Sequence, residues 1–422
     1  MKGVSIRAVA GTSDARNGGV ALNREISGGL LSVAIASVLL VPGLSLAYAE
    51  TETVDGSWTL ALYVDADCNL EMYWDSPSLE YLQNIPASDG LKIVAFLDRL
   101  STEGTEVVVI SGDSTEVVAT YPEMNYGDGA TFQWFLGEVD RSFSSDHLVV
   151  IPWDHGSAWN GFCWDDSSDG DRITLEEMGD AIVGAGVYID ILAFDACSCS
   201  SIEMAYEAAS TGLVGLLVAS EELVAGDGFP YDLMFTPVAL DPSRTPEQVA
   251  RDMLAGWIAS YEPLDWAWYS TLGIVDLSVI AESLETMKTW TQQMYEGLDD
   301  YTKNYRMALR DSYYVSCGSH YQVDLVDLGR HLLADPALAA EEDLLETTRA
   351  MVDLMEQAVI DVYNPDRTAA CGGISIYWGS HNQAWRASMN TYSTIDFAED
   401  SGWADFLIQY NLLTCGWMRL SK

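Results

Sequence analysis

A chain of 422 residues of which 49% are hydrophobic can bury a large core, in one extended domain or two smaller ones, and is not a disordered polymer. Its 64 acidic residues against 20 Lys and Arg leave a formal charge of −44, which opposes binding to nucleic acid or to anionic membranes. Cationic ligands, and substrates bearing Lys or Arg, are favoured; the bland alternative is that the charge serves solvation.

The first predicted element is an export signal. Lys2, Arg7, Arg16 and Arg24 precede the apolar run "LLSVAIASVLLVPGLSLAYA", and Ala47-Tyr48-Ala49 has the small-x-small pattern of a cleavage site. Residues 1–49 are therefore expected to be a signal peptide, with a secreted or extracytoplasmic mature chain that keeps no stable membrane association. The run approaches spanning length, so an uncleaved anchor is the alternative.

Strands and helices then alternate. "WTLALYVDAD" reads as a strand ending in acids, "LEMYWDSPSLEYLQNI" as a helical turn or two, and "LKIVAFLDR" as a second strand. "EVVVISG" and "STEVVATY" suggest a hairpin-like insertion, and "DGATFQWFLGEVDRSF" has helical spacing. Next come the strand "HLVVIPWDHG", an acidic loop, the helix "TLEEMGDAIVGAG", the strand "IDILAFDAC", the helix "SSIEMAYEAAS" and the strand "GLLVASEE". Strands rich in Val, Ile and Leu without alternation are buried on both faces, and intervening helices imply a parallel sheet: an α/β sandwich. Residues 240–422 add helical patterns such as "LETMKTWTQQMYEGL" and "LLETTRAMVDLMEQAV". No Pro-, Gly- or Ser-rich linker separates them from residues 50–239, so the C-terminal part is expected to pack on the core and complete it.

In an open parallel sheet, ligands sit beyond the carboxyl ends of the strands, where His155 and Cys197 both fall. If their strands are neighbours, the imidazole can take the thiol proton and the thiolate can attack a carbonyl. Gly156, without a side chain, lets a backbone amide approach a reacting oxygen. Cys197 is expected where a strand gives way to a helix, whose N-terminus would stabilise thiolate and oxyanion. Either residue alone is more often structural, and it is their joint placement that points to chemistry.

The seven cysteines are Cys68, Cys163, Cys197, Cys199, Cys317, Cys371 and Cys415. An oxidising compartment favours disulfides, and the odd number leaves at least one thiol without an intramolecular partner. Cys197-Ser198-Cys199 is too short for a zinc knuckle, and a disulfide across it would be strained. The loop "WDDSSDGDR" gathers Asp165, Asp166, Asp169 and Asp171. Hard oxygen ligands near a glycine suit calcium, although the run lacks the EF-hand glutamate and a solvated acidic loop is the alternative. The cysteine chemistry itself requires no cofactor.

In order along the chain, "WTLALYVDADCNLE", "LVVIPWDHGSAW", "FDACSCSSIEMAYE", "VASEELVAGDGFPYD", "TLGIVDLS", "VDLVDLGRHL", "GGISIYW" and "FAEDSGWADFL" resemble the blocks of the clostripain family of cysteine peptidases. That family groups with caspases, legumains and gingipains. The resemblance implies a caspase-like three-layer α/β sandwich and a catalytic pair mapping onto His155 and Cys197, which stand 42 residues apart. It implies endopeptidase cleavage after Arg or Lys, with Asp195 and a second acid, Glu221 or Glu222 with Asp227 in reserve, lining the pocket. Asp195 could equally cap or hold backbone at its turn. Where the family carries a bulky apolar residue after the nucleophile, this chain has Ser198 and a second thiol. Several relatives cleave themselves between the two catalytic residues, where Arg172 is the sole basic residue here. Its polar surroundings suggest an exposed loop, which before cleavage could place Arg172 in the acidic pocket. Rival readings are an inert binding protein that kept the fold and a thiol hydrolase or transferase that does not act on peptides.

Overall fold

Long runs of β-branched and aromatic residues build a central sheet buried on both faces. In chain order its first strands are β1 (Trp58–Ala66), β2 (Leu91–Arg99), β3 (Thr102–Ser111), β4 (Ser114–Tyr121) and β5 (His147–Trp153). A small hairpin of β6 (Phe162–Asp165) and β7 (Asp171–Ile173) follows, then β8 (Ile189–Ala193), β9 (Val214–Ala219) and β10 (Leu272–Asp276). The last are β11 (Tyr314–Val315), β12 (Gln322–Asp324), β13 (Val359–Tyr363) and β14 (Ser375–Tyr377). This computed structural model describes residues 56–267, 269–315, 321–365, 368–379 and 383–414. The leader, Cys317, His320, His381 and Cys415 lie outside them.

Nine strands form one sheet in the order β13-β10-β9-β8-β5-β1-β2-β3-β4. The five central strands are mutually parallel, while β3 and β10 run against them and β4 and β13 run with them. Seven of the nine therefore share a direction, and the sheet is mostly parallel, as expected. The hairpin of β3 and β4 is not an insertion: it extends the sheet beyond β2, with β4 as an exposed outer edge. Residues beyond 240 supply β10 and β13 at the opposite side. β11, β12 and β14 make a separate three-stranded sheet.

Strand β1 is buried along its whole length because each face meets a different apolar cluster. Ala61 and Tyr63 pack in one, with helices Gly129–Phe143, Leu175–Ala185, Ile202–Ser210 and Leu277–Glu296. Leu60, Leu62 and Val64 pack in the other, with helices Tyr231–Leu240 and Pro246–Tyr261. Period-two side chains feeding two helical layers give the three-layer sandwich.

Local chemistry fixes the helix ends. Asp128 accepts the Ala130 N–H at the start of Gly129–Phe143. Thr174 and Glu177 form a reciprocal capping box before Leu175–Ala185, a device worth about 1 kcal/mol. Among the described residues, no helix is long and apolar enough to cross a membrane.

Candidate functional site

Beyond the regular ladder, β5 and β8 touch once more, through a parallel bridge that pairs Trp153 with Asp195. His155 and Cys197 each lie two residues past that bridge, so the register brings them level at the carboxyl edge of neighbouring strands. Gly156 closes the gap: a Cβ built there would stand 2.3 Å from the Cys197 carbonyl oxygen and 2.8 Å from the Cys199 Sγ. Only glycine permits this approach of the two loops.

His155 is partly exposed, and its Nε2 lies 2.8 Å from the Asn69 Oδ1, contributed by the segment that follows β1. With that amide oxygen accepting, Nε2 carries the proton and Nδ1 is the basic nitrogen of the neutral ring. The His155 carbonyl accepts the Cys163 N–H at 3.2 Å, and the buried Asp154 accepts the Trp164 N–H at 2.6 Å and the Cys68 S–H at 2.9 Å. Burial pushes the Asp154 carboxyl up to about 6, opposed by the nearby His155 and by these donors. Cys68, Asp154 and His155 also present three potential metal-ligand atoms within 4.8 Å of one another. Asn69 and Cys68 escape motif reasoning because their roles depend on β1 lying beside β5.

The Cys197 thiol is partly exposed and its Sγ accepts the Val224 N–H at 3.3 Å. Helix Ile202–Ser210 begins five residues later, capped by Ser201, so the expected helix N-terminus does not stand at the sulfur. Instead the chain runs on beside the end of β9, with Ser198 N–H donating to the Glu222 carbonyl and Ser200 N–H to that of Ser220. Ser198 has φ +58 and Cys163, which holds His155 from behind, has φ +54. Left-handed backbone at two non-glycine residues flanking the pair is strain of the kind that collects at functional sites. Among the described residues no disulfide joins Cys197 to Cys199, nor does one involve Cys68, Cys163 or Cys371.

The acids separate sharply. Asp195 is buried, and its Oδ2 accepts the Phe229 N–H at 3.0 Å and the Tyr231 O–H at 2.7 Å; burial pushes it up to about 6. Gly228, at φ +64, passes so close that a Cβ would sit 2.8 Å from the same oxygen. Asp195 thus holds the 228–231 turn. Glu221 and Glu222 depart from the expected pocket position, since their side chains are buried toward the C-terminal part. Glu221 accepts the Gly373 N–H at 2.9 Å, and burial beside Asp324 raises its pKa well above the usual range. Glu222 accepts the Tyr313 hydroxyl. Asp227, by contrast, is exposed, and burial, with smaller contributions from Cys197 and Asp227, raises the Tyr269 hydroxyl above its ordinary pKa.

The acidic loop also differs from expectation. Asp166, Asp169 and Asp171 are exposed, and only Asp165 turns inward, where it joins Asp67, Asp98 and Glu123 with ligand atoms within 4.8 Å of one another. Arg172 is not in a free loop. It lies in β7 opposite Trp164, with its guanidinium donating to the Asn160 carbonyl at 2.5 Å and to the Asn160 Oδ1 at 3.1 Å, and so does not occupy the pocket.

Comparison with known proteins agrees with this architecture. The chain is 26% identical over 217 residues to clostripain of Hathewaya histolytica, a match covering 42% of this chain and 41% of that relative's length. A secreted C11 cysteine protease from Bacteroides thetaiotaomicron, solved with an irreversible peptide inhibitor, shares the fold with a TM-score of 0.64 at 15% identity, covering 82% of this chain and 99% of that one. An inactive zymogen C11 protease from Parabacteroides distasonis gives 0.64 at 18% identity, over 84% and 99%. The model of the clostripain family matches residues 62–410, and the chain belongs to that family.

Proposed function

We propose that this protein is a cysteine endopeptidase that cleaves after basic residues, with Cys197 as nucleophile and His155 as general base and acid. The observation that carries the reading is the level placement of His155 and Cys197 past the Trp153–Asp195 bridge. The imidazole takes the thiol proton and Sγ attacks the scissile carbonyl carbon. The amine leaves with the proton from His155, and water then hydrolyses the thioester. Gly156 is the candidate oxyanion donor. Its bridge to Phe162 is carried by Cys163 N–H to the His155 oxygen and Ser157 N–H to the Gly161 oxygen, and so does not consume the Gly156 N–H.

Selection of a cationic side chain rests on Asp227 as the exposed acid, with the buried Asp195 shaping the turn beside it. The charge of −44 adds long-range attraction for basic peptides. Secretion is proposed from the leader. Cleavage after Arg172 is not part of the proposal, because the β6–β7 hairpin would have to open first.

Fluorogenic peptides varied at the cleaved position test the reading on the purified chain. Arg and Lys peptides should be cut fastest, and Asp227→Asn should cost about ten- to a hundredfold against Arg while leaving neutral peptides unaffected. Fastest cleavage of Leu or Asp peptides would remove the basic specificity. Hydrolysis of no peptide, with a thiol ester turned over instead, would remove the peptidase.

A further inference from the structure

Basic residues are scarce in this chain, 20 Lys and Arg against 64 acids, so a place where they gather is informative. Lys303, Arg306 and Arg310 stand at i, i+3 and i+7 of helix Leu298–Asp311 and therefore share one face of it. All three are exposed and border a cavity of about 590 Å3, whose lining includes neither His155 nor Cys197.

Much of the remaining lining is apolar or aromatic. Trp378 and Tyr410 are buried, while Met307 and Tyr314 stand exposed beside the cations. Trp378 is held firmly. Its backbone N–H donates to the Tyr321 carbonyl at 2.8 Å, and its ring meets Trp403, Phe406 and Tyr410 edge to face at centroid distances of 5.4, 5.3 and 5.2 Å. A cavity of this size walled by rigid aromatics, with a few polar groups converging on it, has the character of a small-ligand site.

The polar groups in the lining are only partly met. Arg310 is bound by Asp311 through hydrogen bonds of 2.8 and 3.0 Å. Among the described residues, Lys303 and Arg306 enter no ion pair. The Trp378 indole N–H is buried with no hydrogen-bond partner. The Asn411 Oδ1 is likewise unmet, although the Nδ2 of the same amide donates to the Gly379 and Leu407 carbonyls at 3.1 and 2.8 Å. Buried donors and acceptors left in this way are costly, and a bound molecule would relieve the cost.

We infer that this cavity binds an amphipathic organic anion, a carboxylate carried on a small alkyl or aryl body. The carboxylate accepts charge-assisted hydrogen bonds from Lys303 and Arg306, and the body lies against Trp378, Tyr410 and Met307. The chain's charge of −44 repels an anion at long range, but physiological salt screens that field within about 8 Å and the adjacent cations prevail.

The cavity is tied to the segment after Cys197 on two sides. Tyr314 follows Tyr313, whose hydroxyl donates to the Glu222 side chain, and the Glu222 carbonyl accepts the Ser198 N–H at 2.9 Å. Trp378 directly follows β14, in which the Ser375 N–H donates to the Ser200 carbonyl at 3.0 Å. An occupant would therefore steady the backbone beyond the nucleophile; this coupling, unlike the binding itself, rests on the proposed function.

Calorimetric titration of the purified chain with octanoate and with 3-phenylpropanoate tests the site, at two temperatures so that a vanishing enthalpy at one is not mistaken for no binding. At least one carboxylate should bind with a Kd of about 1 mM or below, and the tighter of the two identifies the body as alkyl or aryl. The corresponding alcohols, octan-1-ol and 3-phenylpropan-1-ol, should bind at least about tenfold more weakly. Lys303→Gln combined with Arg306→Gln should weaken the carboxylate at least about tenfold and leave the alcohol unchanged. Met307→Glu should abolish carboxylate binding, whereas Arg349→Gln, at an exposed cation outside the lining, should bind like the wild type. Equal affinity for acid and alcohol, an unaltered Kd in the double variant, or no binding of either carboxylate up to about 10 mM would each overturn the site. Saturation should raise kcat/KM for peptide cleavage by about fivefold in the wild type and not in the double variant; cleavage unchanged at saturation would overturn the coupling. Binding in a chain that cuts no peptide would leave the site standing and remove the peptidase.

Discussion

Two stretches of one sheet edge treat buried carboxylates in opposite ways. Past β5 and β8, Asp154 and Asp195 each meet N–H, O–H or S–H donors, so the acids act as clamps that shape the loops around His155 and Cys197. Past β1 and β2, Asp65, Asp67 and Asp98 keep buried oxygens that no donor reaches. The residue type and burial are the same, and the supply of donors decides the role. A clamped acid fixes geometry, whereas an unclamped buried acid resists ionisation: burial pushes the Asp98 carboxyl up to about 8 and Asp65 well above the usual range.

The largest effect should separate chemistry from clamping. Cys197→Ala should lower kcat/KM by about four orders of magnitude or more while leaving the Tm unchanged, because it removes the covalent step alone. Peptide cleavage that survives in that variant would place the chemistry elsewhere on the edge. Gly156→Ala comes next: its methyl would press on the Cys197 carbonyl at 2.3 Å, separating the loops. A misplacement of that kind should cost about a hundredfold in rate and about 1–3 kcal/mol in stability; near-wild-type kinetics would show that the loops do not need this contact.

The clamp can be loosened directly. Tyr231→Phe leaves the buried Asp195 without its O–H donor and should destabilise the protein by about 1.5–3 kcal/mol, read by urea unfolding. The sign of the pH effect follows from burial. Asp195 is raised from 3.8 to about 6 in the folded chain, so its contribution is fully present below pH 3.8 and is lost as pH rises through about 6. Asp195→Asn should flatten the pH dependence of stability across that window, and an unchanged slope would mean that the carboxylate is ionised when folded. The smallest effect is expected at Arg172→Ala, which loses two hydrogen bonds to Asn160 for about 1 kcal/mol. Intact mass should show the same unbroken chain in wild type and variant; fragments meeting after Arg172 in the wild type would show that the hairpin opens.

Much of the frame was legible because it depends on local pattern. Apolar strand runs, the Thr174–Glu177 box and the Asp128 cap announce their elements within a few residues, and the paired "WDHG" and "FDAC" motifs sit where such strands end. The edge hairpin of β3 and β4 was legible as a hairpin but not as part of the sheet, since pairing with β2 is a long-range choice.

The sequence by itself determined which residues could do chemistry: a thiol, an imidazole and a glycine at strand ends, and an excess of acids. Only the tertiary structure decided which of those acids meet. Glu221 and Glu222 look like pocket residues in one dimension, yet Gly373 and Tyr313, some 152 and 91 positions away, draw their carboxylates inward. Asp165 looks like one of a run of loop acids, yet it leaves Asp166, Asp169 and Asp171 in solvent and joins Asp67 and Asp98. The physical reason is that a carboxylate's role is set by the donors and charges within a few ångströms. Strand order in a parallel sheet brings those neighbours together from segments far apart in the chain.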